Sequence, residues 1–223
     1  MKKFASFFAV FLFITLFAVA SEAGDRNIPV EVAQLTDSLK KQFAPDRRVA
    51  LLDVDYSFSD KNVMLRGVTT SAEAKNALLK ELARKGYAVM DCLELLPDVK
   101  GLEGKTCGII NVSVANMRVA PDFSSEMMTQ SLMGMPVRVL QRDGWVRIQT
   151  PDNYIAWVHR VGVHPVTEEE MAAWNKAEKI VVTAHYGFVY SEPNQTSQTV
   201  SDVVAGNRLK WEGSKGAFYK VTY

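Results

Sequence analysis

The chain has 223 residues, of which 48% are hydrophobic and 23% are charged, and its formal net charge is +1. This composition is typical of a globular protein and excludes an intrinsically disordered or collagen-like chain. Because basic and acidic residues nearly balance and no long basic run occurs, nucleic acid is not expected as a partner.

The N-terminus has the pattern of a secretory signal peptide. Lys2 and Lys3 precede an apolar stretch from Phe4 to Phe17, and the small residues Ala18 and Ala20 follow. We predict cleavage after Ala20 and export to the periplasm or the cell envelope. The alternative is an uncleaved membrane anchor, because about twenty apolar residues can span a bilayer.

The next segments predict a helix and then a small α/β module. Apolar residues at spacings of three and four predict an amphipathic helix that ends before Pro45: Ile28, Val32, Leu35, Leu39 and Phe43. Residues 48–58 and 61–69 alternate like two strands around a turn. A second helix then begins at the N-cap candidate Ser71 and ends at Gly86, and residues 87–96 form a third strand. The order β-β-α-β predicts one helix on one face of a sheet.

The second half of the chain predicts short strands, and it repeats itself at an offset of 72 residues. We call residues 108–165 the first repeat and residues 179–223 the second repeat. The aligned positions are Pro121 with Pro193, Gly134 with Gly206, Val139 with Trp211 and, after a one-residue insertion, 145–148 with 218–221. Between the repeats, Thr167 and Glu170 fit a capping box, so a short linker helix is predicted.

The second repeat does not contain the last strand of the first. In the first repeat, residues 145–150 are followed by a turn and a further strand, residues 151–160, whereas the alignment of the second repeat stops at residues 218–223. An incomplete barrel exposes unpaired backbone groups at its edge. We therefore expect a longer natural product, or a partner strand or downstream domain that completes residues 179–223.

The cysteines and histidines do not predict a metal or a cofactor. Cys92 and Cys107 could form one disulfide or remain two separate thiols. His159, His164 and His185 show no spacing with cysteine or acidic residues that is typical of a metal site. We expect no metal and no cofactor.

A family resemblance rests on the first repeat. Its pattern consists of Asn116-Met117-Arg118 before Pro121, Met128-Thr129-Gln130, Gly134, Gly144-Trp145 and Asp152-x-Tyr154-x-x-Trp157. This pattern resembles the bacterial SH3-like domains that precede the catalytic domain of NlpC/P60 cell-wall cysteine peptidases. The resemblance covers residues 109–223 and is more specific in the first repeat than in the second.

The resemblance implies a peptidoglycan endopeptidase that cleaves γ-D-glutamyl linkages to diamino acids. Such enzymes use an activated cysteine at a helix N-terminus. Neither Cys92 nor Cys107 lies in a matching segment, so no catalytic residue is assigned to this chain. In relatives an acidic residue and a tyrosine of the first SH3-like domain hold the free amine of the stem peptide. Tyr154 matches the tyrosine, Glu126 is the nearest acid although Met128 occupies the usual position, and Trp145 is a further substrate-binding candidate.

The sequence thus predicts a mainly β protein with an α/β module, a complete first SH3-like barrel and an incomplete second one. The expected units are a signal peptide (1–20), an amphipathic helix and linker (21–48), the α/β module (49–107), the first SH3-like domain (108–165), a linker helix (166–178) and the second SH3-like domain (179–223). The expected function is the non-catalytic, substrate-positioning part of an endopeptidase that acts on peptidoglycan stem peptides. The alternatives are a free-standing wall-binding protein and an envelope adaptor.

Overall fold

The computed structural model describes residues 28–223, and the predicted signal peptide lies outside this range. Within it, strands predominate over three α-helices, as the mainly β prediction requires. None of the helices described is long and apolar enough to cross a membrane.

The α/β module has the predicted order of elements, with one additional helix in its core. Its elements are α1 (Val30–Phe43), β1 (Leu52–Ser59), β2 (Asn62–Thr69), α2 (Ala72–Arg84) and β3 (Ala88–Leu95). β1 pairs antiparallel with β2, and β2 pairs parallel with β3 across the α2 crossover. The sequence analysis set α1 apart from the module. In the structure, Val32 and Leu39 of α1 are buried in the same core as α2 and the sheet.

Local sequence explains the position of α2. The Ser71 side chain accepts a hydrogen bond from the Ala74 backbone N–H at 3.1 Å, so the predicted N-cap is confirmed. Leu78 and Leu82 follow Ala74 at intervals of four, and all three are fully buried. Gly86 then adopts a φ of 83°, the left-handed conformation that ends many helices.

The first repeat forms one seven-stranded sheet that curls around a single core. Its elements are β4 (Cys107–Ile110), β5 (Val114–Arg118), β6 (Met127–Leu132), β7 (Pro136–Asp143), β8 (Trp145–Gln149), β9 (Ile155–His159), a 3-10 turn (Arg160–Gly162) and β10 (Val163–Val166). The strand order is β10-β4-β7-β8-β9-β5-β6. The predicted complete barrel is corrected here, because β10 and β6 are the two ends of the sheet and do not pair.

The α/β module and the first repeat share apolar and backbone contacts. Leu51 and Leu96 of the module pack with Leu140 and Ile155 of the first repeat in one buried cluster. The backbone N–H of Ile155 donates to the carbonyl of Arg48 at 2.6 Å. Because residues 48–51 run beside β9, strand β1 begins at Leu52, later than the alternating pattern predicted.

The linker helix α3 (Glu168–Lys176) forms as predicted. Thr167 and Glu170 complete the capping box, with each side chain accepting a hydrogen bond from the backbone N–H of the other residue. Met171 and Trp174 pack against Ile109 and Val166 of the first repeat. The helix therefore packs on the first repeat.

The second repeat contains counterparts of the first five strands of the first repeat. They are β11 (Lys179–Val181), β12 (Tyr186–Tyr190), β13 (Thr199–Val204), β14 (Arg208–Lys215) and β15 (Phe218–Thr222). They form two separate sheets, β11-β14-β15 and β12-β13. In residues 28–223 no strand bridges β12 and β15, whereas β9 bridges the corresponding β5 and β8.

The two repeats meet at their equivalent glycine turns. A Cβ on Gly134 would collide with the carbonyl of Arg208, so only glycine permits this approach. Beside it, Met133 of the first repeat is fully buried in a cluster with Val203 and Leu209 of the second. The first repeat thus supplies a core residue of the second.

We predict that the second repeat exchanges its amide hydrogens faster than the first. Strands β12 and β15 each have an unpaired edge among the described residues, and fewer of their side chains are buried than in β5 and β8. Hydrogen exchange measured by mass spectrometry should show lower protection for residues 186–190 and 218–222 than for 114–118 and 145–149. Equal protection in the monomer would contradict this.

Candidate functional site

The outer face of strands β8 and β9 carries the candidate residues. The two strands pair antiparallel, so Trp145 lies opposite His159, and Arg147 lies opposite Trp157. Alternate residues point into the core, where Val146 and Val158 are almost completely buried. The outer face therefore displays an aromatic and cationic set of side chains.

Three aromatic rings cluster at one end of this face, and we call Phe123, Trp145 and His159 the aromatic cluster. Ring centroids are 4.9 Å apart for Phe123 and Trp145, 5.1 Å for Phe123 and His159, and 5.3 Å for Trp145 and His159. Phe123 is 67% exposed, whereas Trp145 and His159 are half-buried. The cluster is thus an apolar surface open to a ligand.

The loop that carries Phe123 is held in place by hydrogen bonds. The Ser125 hydroxyl accepts from the Ala120 backbone N–H at 2.9 Å, and the Ser125 carbonyl accepts from the Arg118 guanidinium at 2.5 Å. Asp122 accepts from both the backbone and the hydroxyl of Ser124, which lowers the pKa of its carboxyl. Phe123 is therefore presented by a structured turn.

The middle of the face is covered. The Arg147 guanidinium lies over the Trp157 ring, 4.9 Å from its centroid, and Trp157 is only 9% exposed. Burial lowers the pKa of Arg147, while the nearby Asp53 of β1 raises it. Trp157 is thus a packing residue, and Trp145 is the more exposed of the two tryptophans.

Tyr154 lies directly before β9, next to the α/β module. Its backbone N–H donates to the Thr150 hydroxyl at 3.1 Å, and the Arg48 guanidinium lies 5.9 Å from its ring centroid. Arg48 forms an ion pair with Asp46 at 2.7 Å. Hydrogen bonds from Arg48 lower the pKa of Asp46 to about 2. The guanidinium beside the Tyr154 ring is thus paired with the carboxylate of Asp46, which sequence reasoning missed because Asp46 lies in a different unit.

Glu126 is exposed, and its backbone carbonyl accepts a hydrogen bond from Val119 at 3.0 Å. No hydrogen bond or ion pair joins its carboxylate to Tyr154 or Trp145 in the described part of the chain. The structure does bring Trp145 together with Phe123 and His159, which were not among the sequence candidates. The alternation of β8 and β9 could have identified His159, since it lies directly opposite Trp145.

Both cysteines are free. Cys92 is exposed in the middle of β3, and Cys107 is half-buried at the start of β4. Burial, and then the nearby Glu168, raise the pKa of Cys107, which makes its thiolate scarce at neutral pH. Neither lies at a helix N-terminus, the location expected of a catalytic cysteine. No group of His, Cys, Asp and Glu suited to a metal occurs within residues 28–223.

Among the comparisons with known proteins, a family model matches part of the first repeat. Residues 117–161 match the family model of the bacterial dipeptidyl-peptidase SH3 domain, so the first repeat contains a bacterial SH3-like domain, as the sequence pattern indicated. No curated protein matches.

Solved structures that match part of this chain include two NlpC/P60 proteins. One is an NlpC/P60 family protein from Bacillus cereus, with 20% identity, a TM-score of 0.42 and coverage of 52% of this chain and 50% of that one. The other is an NlpC/P60 endopeptidase from Photobacterium damselae subsp. piscicida, with 14% identity, a TM-score of 0.42 and coverage of 57% and 33%. The aligned part therefore spans half or less of each of those proteins.

We predict that iodoacetamide alkylates Cys92 at least about tenfold faster than Cys107 at pH 7.5, because Cys92 is exposed, whereas Cys107 is half-buried and burial raises the pKa of its thiol. The difference should shrink as the pH rises and Cys107 ionises. Peptide mass spectrometry after timed labelling measures both rates. Faster labelling of Cys107 at neutral pH would show that this thiol is activated.

Proposed function

We propose that this chain is the non-catalytic, substrate-positioning and wall-targeting region of a peptidoglycan endopeptidase of the NlpC/P60 type. The observation that carries the proposal is the exposed aromatic cluster on a domain that matches a bacterial peptidase SH3 family. The methyl and methylene groups of a stem peptide would pack on Phe123 and Trp145, and His159 would orient its polar groups.

Two arginines lie near the cluster and would attract the carboxylates of a peptide. Arg118 is half-buried beneath the Phe123 loop, and Arg160 is exposed directly after His159. Stem peptides carry free carboxylates, which these guanidinium groups would attract. The cluster would therefore supply apolar contact, and the surrounding arginines would supply charge attraction.

The same observation fits a free-standing wall-binding protein, since binding at the aromatic cluster requires no peptidase domain. The two functions differ in what is done with the bound peptide. Both functions predict that the first repeat binds the peptide. Only the endopeptidase function predicts that substitutions in the first repeat slow peptide cleavage by a longer protein that contains a catalytic domain.

We predict that Trp145→Ala weakens binding of a muropeptide by about tenfold or more, because it removes the central ring of the cluster. Trp211→Ala is the control, since Trp211 is a tryptophan of the second repeat that is 38% exposed and lies outside the aromatic cluster. Isothermal titration calorimetry on residues 21–223 measures both affinities, and circular dichroism checks folding. Equal losses in the two folded variants would refute binding at the cluster.

Recognition of the free amine by Tyr154 and Glu126 is a separate prediction. N-acetylation removes the positive charge of an N-terminal L-Ala, so the free-amine muropeptide should bind more tightly than its acetylated form. Tyr154→Phe and Glu126→Gln should each abolish most of this preference. Asp46→Asn is the informative comparison, because Asp46 pairs with Arg48, whose guanidinium lies over the Tyr154 ring.

Calorimetry compares the unchanged protein with the three variants, and each protein is titrated with the free-amine and with the acetylated muropeptide. Loss of preference in Asp46→Asn but not in Glu126→Gln would transfer the acidic role to Asp46. An equal loss of affinity for both muropeptides would mean that the residues serve folding.

A further inference from the structure

The sheet of the α/β module has one face that its helices do not cover. On the helix side, Leu65 of β2 and Leu93 of β3 are buried in the core with α1 and α2. Successive side chains of a strand point to opposite faces, so Met64 of β2 and the β3 residues Met90 and Cys92 lie on the other side. We call this side the outer face of the module.

Three sulfur-containing side chains come together on the outer face, and we call Met64, Met90 and Cys92 the sulfur cluster. β2 and β3 pair in parallel with Met64 directly beside Met90, and paired strands lie about 4.8 Å apart. Cys92 follows Met90 by two positions, which places it about 6.6 Å further along the same face. Because methionine side chains are long and flexible, the three sulfur atoms can reach one common point.

The sulfur cluster is open to solvent. Met90 is 55% exposed, Cys92 is exposed, and Met64 is half-buried. None of the three side chains belongs to a buried core within residues 28–223. The contact with the first repeat includes Val68, which lies four positions from Met64 along β2. Packing therefore does not account for the three sulfur atoms.

We propose that the sulfur cluster is a binding site for the soft metal ion Cu(I). Thiolate and thioether sulfur atoms favour Cu(I) over metal ions that prefer nitrogen or oxygen ligands. Cys92 releases its thiol proton on binding, and its thiolate then forms one Cu–S bond. Met64 and Met90 supply two neutral thioether ligands, so the complex of the metal ion with its three ligands carries no net charge.

Charged neighbours on the outer face also favour a cation. Cys92 pairs with Arg66 of β2, and Arg66 pairs on its other side with Asp55 of β1. Glu94 follows Cys92 by two positions on the same face. Two carboxylates thus accompany one guanidinium, and the local charge attracts a metal ion.

The expectation of no metal came from the spacing of cysteines, histidines and acidic residues. Helix α2 separates Met64 from Cys92 in the sequence, and only the parallel pairing of β2 with β3 brings them to one face. Methionine ligands at this distance along the chain leave no spacing pattern, so the sequence did not predict the cluster.

The test adds Cu(I) to the full chain without oxygen, in competition with the coloured chelator bicinchoninate. The chain should retain one Cu(I), and X-ray absorption should show sulfur neighbours alone. Loss of all the Cu(I) to the chelator, nitrogen or oxygen neighbours, or tighter binding of Zn(II) than of Cu(I) would overturn the proposal.

Substitutions separate a three-sulfur site from a single reactive thiol. Cys92→Ser should abolish Cu(I) retention, and Met90→Leu, which keeps the side-chain volume, should weaken it by about tenfold or more. Met127→Leu is the matched control, because Met127 is 51% exposed on β6 and lies outside the cluster. Its affinity should stay unchanged. Full affinity in Met90→Leu, or equal losses in the two leucine variants, would overturn the proposal.

Discussion

The pairing of β9 with both β8 and β5 is the interaction on which the first repeat depends. β9 has four consecutive buried residues, because one side of the strand faces the core and the other is covered by the α/β module and by Arg147. Its first residue binds the backbone of Arg48, and its last contributes His159 to the aromatic cluster. One five-residue strand therefore joins the core, the docked module and the candidate site.

The second repeat shows the consequence of lacking such a strand within the described residues. Its two sheets stay separate. Met133 of the first repeat forms part of its small buried core. Polar contacts support the same junction: the side chain of the fully buried Asn207 donates to the Ser113 carbonyl at 2.8 Å, and the Ser113 hydroxyl donates to Asp202 at 2.8 Å. The first repeat thus stabilises the second across their interface.

Features set by neighbouring residues could be predicted from the sequence, and features set by distant contacts could not. The Ser71 cap and the Thr167–Glu170 capping box follow from residues within one helical turn, so both were predicted correctly. The inclusion of α1 in the module core and the late start of β1 depend on packing between distant segments. The aromatic cluster likewise requires the pairing of β8 with β9 and the fold of the loop around Phe123, which no local pattern specifies.

The geometry of β9 also separates the two parts of the candidate site. Tyr154 precedes β9 and lies five positions from His159, a backbone separation of at most about 16 Å. Between them, Arg147 and Trp157 are packed together and partly covered by β1. A short ligand on the aromatic cluster cannot also reach Tyr154. Only a peptide extended over about five residues has the length to reach both positions, so the two candidate regions act as separate sites for any shorter ligand.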